Sequence, residues 1–273
     1  MNRGSDPVSR ARFPEPAPGK KPVEKLTAGV PLTQLIKRRL NDEPEIVMLS
    51  KSHSPAAEKF RRLKTVLANE EGGGPQVIVV TSAAPSEGKS TVAMNLALAF
   101  AADSRDNVLL VDADLRRPTI GEWVSPSPDL GLTEVLDGRT ELEHAVLELK
   151  NSALKVLPAG TPPRDPVVLL SSAIARDLFA NLRKKYKRII VDTPPVMPFA
   201  DADVVGVLSD GLLMVARSGM TRSGLFREAI QSVTSTRILG VIFNEATFNL
   251  ADRGTYPVYD EDYYDYYKKG RSK

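Results

Sequence analysis

Hydrophobic positions in this chain gather into short unbroken runs, not into alternating ones. Val77-Ile78-Val79-Val80, Val108-Leu109-Leu110-Val111, Ile189-Ile190-Val191 and Leu212-Leu213-Met214-Val215 each end at small or polar residues. Most are then followed by a longer stretch with apolar residues spaced by three or four. Uninterrupted β-branched runs of this length read as strands buried on both faces, the situation in a parallel sheet. The pattern predicts strands at 77–81, 108–112, 154–157, 188–192, 212–216 and 238–243, and helices at 89–102, 140–150, 166–185 and 221–235. Thr140 and Glu143 have capping-box spacing. Asp165-Pro166 reads as an N-cap followed by proline at the first helical position. Strands alternating with helices imply an α/β fold of three layers, with a mostly parallel central sheet and ligands bound beyond the carboxyl ends of the strands.

Ahead of this core, Ser54-Pro55 opens a further helix, serine as cap and proline at its first turn. Ala57, Phe60, Leu63, Val66 and Leu67 share one face of it, and Glu58, Arg61 and Lys64 another. Ile46-Val47-Met48-Leu49 reads as a short strand, and residues 32–42 as a short basic helix. Gly72-Gly73-Gly74-Pro75 closes the segment. Residues 1–31 carry six prolines and few large apolar residues, the composition of a disordered leader. It is either a solvated extension or a tether to acidic lipid or a partner. The expected organisation is a basic leader at 1–31, a helical segment at 32–74, a core at 75–250 and a flexible tail at 251–273.

Composition narrows the chemistry. The chain has 273 residues and no cysteine. Disulfides, thiolate nucleophiles, Cys-ligated zinc and iron–sulfur clusters are therefore excluded, and a reducing compartment fits. No apolar run approaches the roughly 18 residues of a membrane span, and no signal-peptide core is present. A formal charge of +3 gives no reason to expect nucleic acid as a partner, although residues 1–40 hold nine Lys/Arg against three Asp/Glu. His53 and His144 are isolated and receive no role.

The candidate site begins where the first strand ends. Ala83-Ala84-Pro85-Ser86-Glu87-Gly88-Lys89-Ser90-Thr91 sits between a strand and a helix of small residues, the context of a Walker A phosphate loop. Ala83 stands where the general motif has its first glycine. Gly88 is kept, where the backbone must close on a phosphate. Backbone N–H groups and the helix N-terminus attract the anion. Lys89 would reach the β- and γ-phosphates of ATP, and Ser90 would place its hydroxyl on Mg²⁺. Two more strands end in acids: Asp112-Ala113-Asp114 and Asp192-Thr193-Pro194-Pro195. Any one of these acids alone reads as a turn or cap residue. Three at neighbouring strand tips beside a phosphate loop read as a metal and catalytic set, completing a P-loop NTPase fold.

Together these motifs resemble the bacterial tyrosine kinase family. Its Walker A′ motif is matched by Leu109-Leu110-Val111-Asp112-Ala113-Asp114-Leu115-Arg116, and its Walker B by Asp192-Thr193-Pro194-Pro195. Its phosphate loop is matched by Pro85 with Glu87-Gly88-Lys89-Ser90, so Ala83 departs from the general motif but not from the family. The resemblance runs from about residue 54 to the C-terminus. It implies that Asp112 and Asp114 serve metal binding and proton acceptance, in an order left open, with Asp192 as the third metal-site acid. A family oligomerisation motif, Glu-x-x-Arg-x-x-Arg, is matched by Glu58, Arg61 and Lys64, with lysine replacing the second arginine. Asn244 follows a strand where related folds contact adenine, and no guanine-reading pattern follows it, which favours ATP.

Six of the seven tyrosines crowd the tail: Tyr256, Tyr259, Tyr263, Tyr264, Tyr266 and Tyr267. By composition this is either a stacking or docking tail or, as the resemblance implies, the substrate of autophosphorylation between neighbours in a homo-oligomeric ring. The resemblance further implies a separate membrane adaptor of the polysaccharide co-polymerase type. The protein would then be cytoplasmic and peripheral at the inner face of the plasma membrane, regulating polysaccharide synthesis and export. Two rivals stand beside this reading. One is a positioning or partitioning ATPase, which would carry a second lysine where Ala84 stands. The other is a nucleotide-binding scaffold without catalysis.

Overall fold

Val77–Ser82 (β1), Val108–Asp112 (β2), Leu147–Glu148 (β3), Leu154–Leu157 (β4), Arg188–Asp192 (β5), Gly211–Arg217 (β6) and Ile238–Asn244 (β7) form one sheet. Their order is β3-β4-β2-β5-β1-β6-β7, and only the β3–β4 pair is antiparallel. This is a computed structural model, and it describes residues 45–103, 107–124, 129–149 and 152–246. The leader, the basic segment at 32–42 and the tyrosine-rich tail lie outside the described residues.

Alternate residues of each central strand face opposite layers, as the two-residue period requires. Ile78, Val80, Leu110, Ile190, Leu213 and Val215 pack against Lys89–Ala101 (α3) and, beyond it, Pro55–Ala68 (α2). Val77, Val79, Leu109, Val111, Ile189 and Val191 pack on the other side, against Ala173–Lys185 (α8). Both faces of the central strands are covered, so those strands are apolar throughout, whereas the edge strand β7 leaves Val241 and Phe243 exposed. Helix α3 is buried from Val92 to Ala101, which accounts for its having no polar face.

The short helices are Val47–Ser50 (α1), Ile120–Val124 (α4), Leu132–Leu136 (α5), Leu142–Ala145 (α6), Pro166–Leu170 (α7) and Asp201–Gly206 (α9). Ser223–Ser232 (α10) completes the set among the described residues. Several expectations are corrected here. Residues 46–49 are not a strand: α1 forms there, and the buried Asn95 of α3 accepts the Met48 N–H at 3.0 Å. The helix expected at 140–150 stops at Ala145, because the chain turns into β3 and pairs with β4. The Thr140–Glu143 capping box does not form; Glu141 is the N-cap, and Glu143 pairs with Lys185 instead. The helix expected at 166–185 breaks at Ser171 and Ser172. Ser172 accepts the Ala175 N–H and caps a new helix. The caps at Ser54 and Asp165 are as expected.

Two clamps hold the entry to β1. Gly74 has φ +74°, and a Cβ there would lie 1.9 Å from the Leu67 carbonyl oxygen. Buried Arg188 donates to the carbonyls of Gly73, Gly74 and Pro75. Asp210 accepts the N–H groups of Gln76 and Val77, each at 2.8 Å, and pairs with Arg183 at 2.8 Å. Burial alone would raise the pKa of Asp210, but Arg183 and the two amides outweigh it and hold the pKa below the usual carboxylate value. Its contribution to stability is present at neutral pH and is lost as pH falls below about 4. Asp210→Ala should cost about 1–3 kcal/mol in urea unfolding at pH 7, with the gap to wild type narrowing in acid.

Candidate active site

The phosphate loop leaves β1 at Ser82 and enters α3 at Lys89. Gly88, the N-cap of α3, has φ +88°, and a Cβ there would meet the Asn244 side-chain nitrogen at 2.2 Å. Gly88 is thus required twice, by backbone conformation and by close approach. Ala83 is fully buried and lies outside the positive-φ positions, so glycine is not needed there. This is the physical reason the first glycine of the general motif is dispensable in this chain.

Parallel pairing brings the acids together. Asp112 and Asp192 stand opposite each other in register on β2 and β5, and β1 lies beside β5. The Lys89 Nζ is 2.7 Å from Asp114 Oδ2, 3.8 Å from Asp192 Oδ2 and 3.3 Å from the Ser90 hydroxyl. Burial works to lower the Lys89 pKa, but Asp192, Asp114 and Asp112 more than offset it and raise it. The ammonium is therefore charged at neutral pH.

The three acids differ in their partners. Asp112 Oδ1 accepts the Asp114 N–H, and its Oδ2 accepts those of Thr119 and Ile120. Its carboxylate thus shapes the turn that follows β2. Burial first, then Asp192 and Asp114, push its pKa up to about 8. Asp114 accepts the Arg117 N–H through Oδ1 and meets Lys89 through Oδ2. Both carboxylate oxygens of Asp192 are buried without a hydrogen-bond partner. Burial raises its pKa to about 6, against the opposing pull of Lys89 and the Ser90 hydroxyl. A buried carboxylate that accepts no hydrogen bond and has only Lys89, at 3.8 Å, to balance it is costly in a folded protein. It fits a site that a cation completes.

Pro85, Ser86, Gly88, Ser90, Thr91 and Asn244 line a cavity of about 1090 Å³, with Lys89 and Asp114 at its floor. Ala84 and Glu87 serve the loop itself: the Ala84 N–H donates to Glu87 Oε2 at 3.0 Å, and Glu87 is buried. Asn244 donates its side-chain amide to the Glu87 carbonyl at 3.1 Å. Glu58, Arg61 and Lys64 stand apart from this centre. Arg61 pairs with Glu58 at 3.0 Å, and Lys64 lies 3.8 Å from Asp103.

Sequence reasoning missed several contributors. Arg116 makes a forked ion pair with buried Asp201 and stacks on the Phe199 ring at 4.1 Å. Arg217, Thr221 and Glu245 contact the loop or its partners from more than a hundred residues away. Asp201 is followed by no motif, and Arg217 ends a strand that carries no acid, so no local signal marks them. No cluster of three His, Asp or Glu residues able to hold a metal unaided is found among the described residues.

A phosphate loop at the tip of β1, acids at the tips of β2 and β5, and a parallel sheet covered on both faces define a P-loop NTPase domain. A family model described as an AAA domain matches residues 75–225. The tyrosine-protein kinase YwqD of Bacillus subtilis (strain 168) is 34% identical over 202 residues, covering 73% of this chain and 85% of that protein. The succinoglycan biosynthesis transport protein ExoP of Rhizobium meliloti (strain 1021) is 33% identical over 78% of this chain, but over only 28% of its own length. The kinase domain of the Escherichia coli tyrosine kinase ETK superposes with a TM-score of 0.70 at 30% identity, covering 76% of this chain and 82% of that one. The chain belongs to the bacterial tyrosine kinase family.

Proposed function

We propose that this protein transfers the γ-phosphoryl group of ATP to tyrosines of its own C-terminal tail. The observation that carries this reading is Lys89, which lines the cavity between Asp114, also in the lining, and the fully buried Asp192 behind it, whose oxygens accept no hydrogen bond. Asp192 and the Ser90 hydroxyl would hold Mg²⁺. When bound, that ion neutralises charge on the β- and γ-phosphates. Asp112, engaged by three backbone amides, shapes the turn that follows β2. Lys89 leaves Asp114 for the phosphates as the nucleotide enters. Asp114 Oδ2 is then free to take a proton.

A tyrosine hydroxyl, with a pKa near 10, is poorly ionised at neutral pH. Its oxygen forms the new bond to the γ-phosphorus while the bond to the β,γ-bridging oxygen breaks. The phenolic proton passes to Asp114 Oδ2, and ADP leaves. Catalysis of this kind rests on positioning and charge neutralisation more than on a strong base. Asn244 stands at the cavity wall beside the loop and is assigned a contact with the adenine end. Ala84 in place of a second lysine weighs against a partitioning ATPase.

The acceptors assigned are Tyr256, Tyr259, Tyr263, Tyr264, Tyr266 and Tyr267. The charged face of Glu58, Arg61 and Lys64 is assigned to contacts between copies in a ring. Among the described residues no helix is long and apolar enough to cross a membrane. A membrane connection through a co-polymerase-type adaptor at the inner face is assigned on the likeness to ExoP. Extracellular polysaccharide synthesis and export is the process served, a reading supported by the likeness to ExoP.

The test uses one fact about the chain: outside the tail its one tyrosine, Tyr186, is 7% exposed. Incubation with Mg-ATP should give a phosphotyrosine signal on immunoblotting. Changing the six tail tyrosines to Phe should abolish it while ATP binding is kept. A wild-type protein that stays unmodified, with its membrane partner supplied, overturns the kinase reading.

A further inference from the structure

Contacts from the last two strands tie down the phosphate loop, and they use residues outside its three chemical motifs. Arg217, the last residue of β6, donates Nη1 to the Ser86 carbonyl at 2.9 Å, and its Nη2 pairs with Glu245 at 2.6 Å. The Thr221 hydroxyl donates to Glu87 Oε1 at 2.5 Å and accepts the Arg217 N–H at 2.8 Å. Asn244 holds the next carbonyl, that of Glu87. The loop needs such holding. Ser86 has φ +65°, a left-handed conformation that costs a non-glycine residue about 1 kcal/mol or more.

The geometry of the peptide bond gives these contacts a function. In a trans peptide the N–H points opposite to the carbonyl it follows. Pinning the Ser86 and Glu87 carbonyls toward β6 and β7 therefore fixes the N–H groups of Glu87 and Gly88 on the other side. Those are donors a phosphate loop presents to its anion.

We infer that Arg217, Thr221 and Glu245 are positioning residues that set these two peptide planes before nucleotide arrives. Thr221 orients Glu87, Arg217 orients Ser86, and Glu245 orients Arg217. This deepens the nucleotide reading of the site and rests on it. The advantage is preorganisation, since a loop already in its binding shape loses less entropy when the phosphates dock.

The test measures Mg-ADP affinity by calorimetry, and backbone amide exchange at residues 86–88 without nucleotide, in the full chain. Thr221→Val and Arg217→Ala should each weaken Mg-ADP by about tenfold, the loss of roughly one good hydrogen bond. Amide exchange in the loop should speed up, and KM for ATP should rise with kcat little changed. Thr221→Ser should restore affinity to within about twofold of wild type. Glu87→Gln and Thr221→Val should be non-additive in combination, as expected of a contacting pair. Glu245→Gln, a surface change, guards against misfolding of the stronger variants and should weaken binding by about two- to fivefold. Wild-type affinity in both Thr221→Val and Arg217→Ala overturns the inference, as does unchanged amide exchange. If the wild type binds Mg-ADP but modifies no tyrosine, the kinase reading fails and this inference stands.

Discussion

Lys89→Met should lower the rate of tail phosphorylation by about 10²- to 10³-fold, the usual cost of removing one preorganised charge aimed at a phosphoryl transition state. The side chain has two jobs. With nucleotide absent it neutralises Asp114 and Asp192, at 2.7 and 3.8 Å. With nucleotide present, in the function proposed above, it would be the cation nearest the phosphates. Methionine keeps an unbranched side chain close to that length, without the charge, and loses both. Initial rates at saturating Mg-ATP check this, and a rate within about tenfold of wild type would remove Lys89 from the mechanism. Nucleotide affinity should fall as well, so rates must be read with the site filled.

Asp192→Asn should have opposite effects on activity and on stability. Phosphoryl transfer should fall by about 10²- to 10³-fold, because the carboxylate assigned to the metal is gone. In the presence of a chelator the variant should be more stable than wild type near pH 7–8, by about 1–3 kcal/mol. The sign follows from the raised pKa values. Burial lifts Asp192 to about 6 and Asp112 to about 8, against 3.8 as their ordinary value. Between about pH 4 and 8 the folded protein therefore binds more protons than the unfolded chain, and stability falls as pH rises. The amide, which does not titrate, would remove the lower part of that slope, from about 4 to 6, so the two proteins should converge in acid. Urea unfolding at pH 5 and pH 8 measures it. A wild-type stability that is flat over this interval would sink the argument. Mg-nucleotide should lift the wild type selectively at the higher pH.

The central strands were legible because a strand buried on both faces has nowhere to place a polar residue; β7 was legible from its apolar run although it is half-exposed. Every strand from β1 to β7 except β3 lies within a residue of its expected limits at each end. β3 has two residues and owes its existence to β4, so no run could announce it. The short helices α4, α5 and α9 were missed for a related reason: five or six residues make too few turns to show a period. Residues 46–49 were misjudged because four apolar residues suit strand or helix equally, and the deciding contact is Asn95, almost fifty residues on.

The candidate site divides the same way. Asp112 and Asp192 end strands, Asp114 lies two residues beyond one, and Lys89 and Ser90 open the helix that follows β1. Chemistry and topology coincide there, and short motifs expose them. The supports of the loop lie outside those motifs. Glu87 was visible inside the motif, but its partner Thr221 lies on a turn after β6 and fits no pattern. What a side chain does to a neighbouring peptide plane leaves no mark on spacing.

Helix α2, with its charged outer face, lies directly on α3, whose first residue is Lys89. Phe60, Leu63 and Leu67 meet the body of α3, apolar from Val92 to Ala101 but for Asn95, and Asn95 fastens α1 to the same rod. In the ring proposed above, a copy gripping the outer helix would press on the rod that begins at Lys89, so that contact at the rim and the phosphate loop would share one mechanical part.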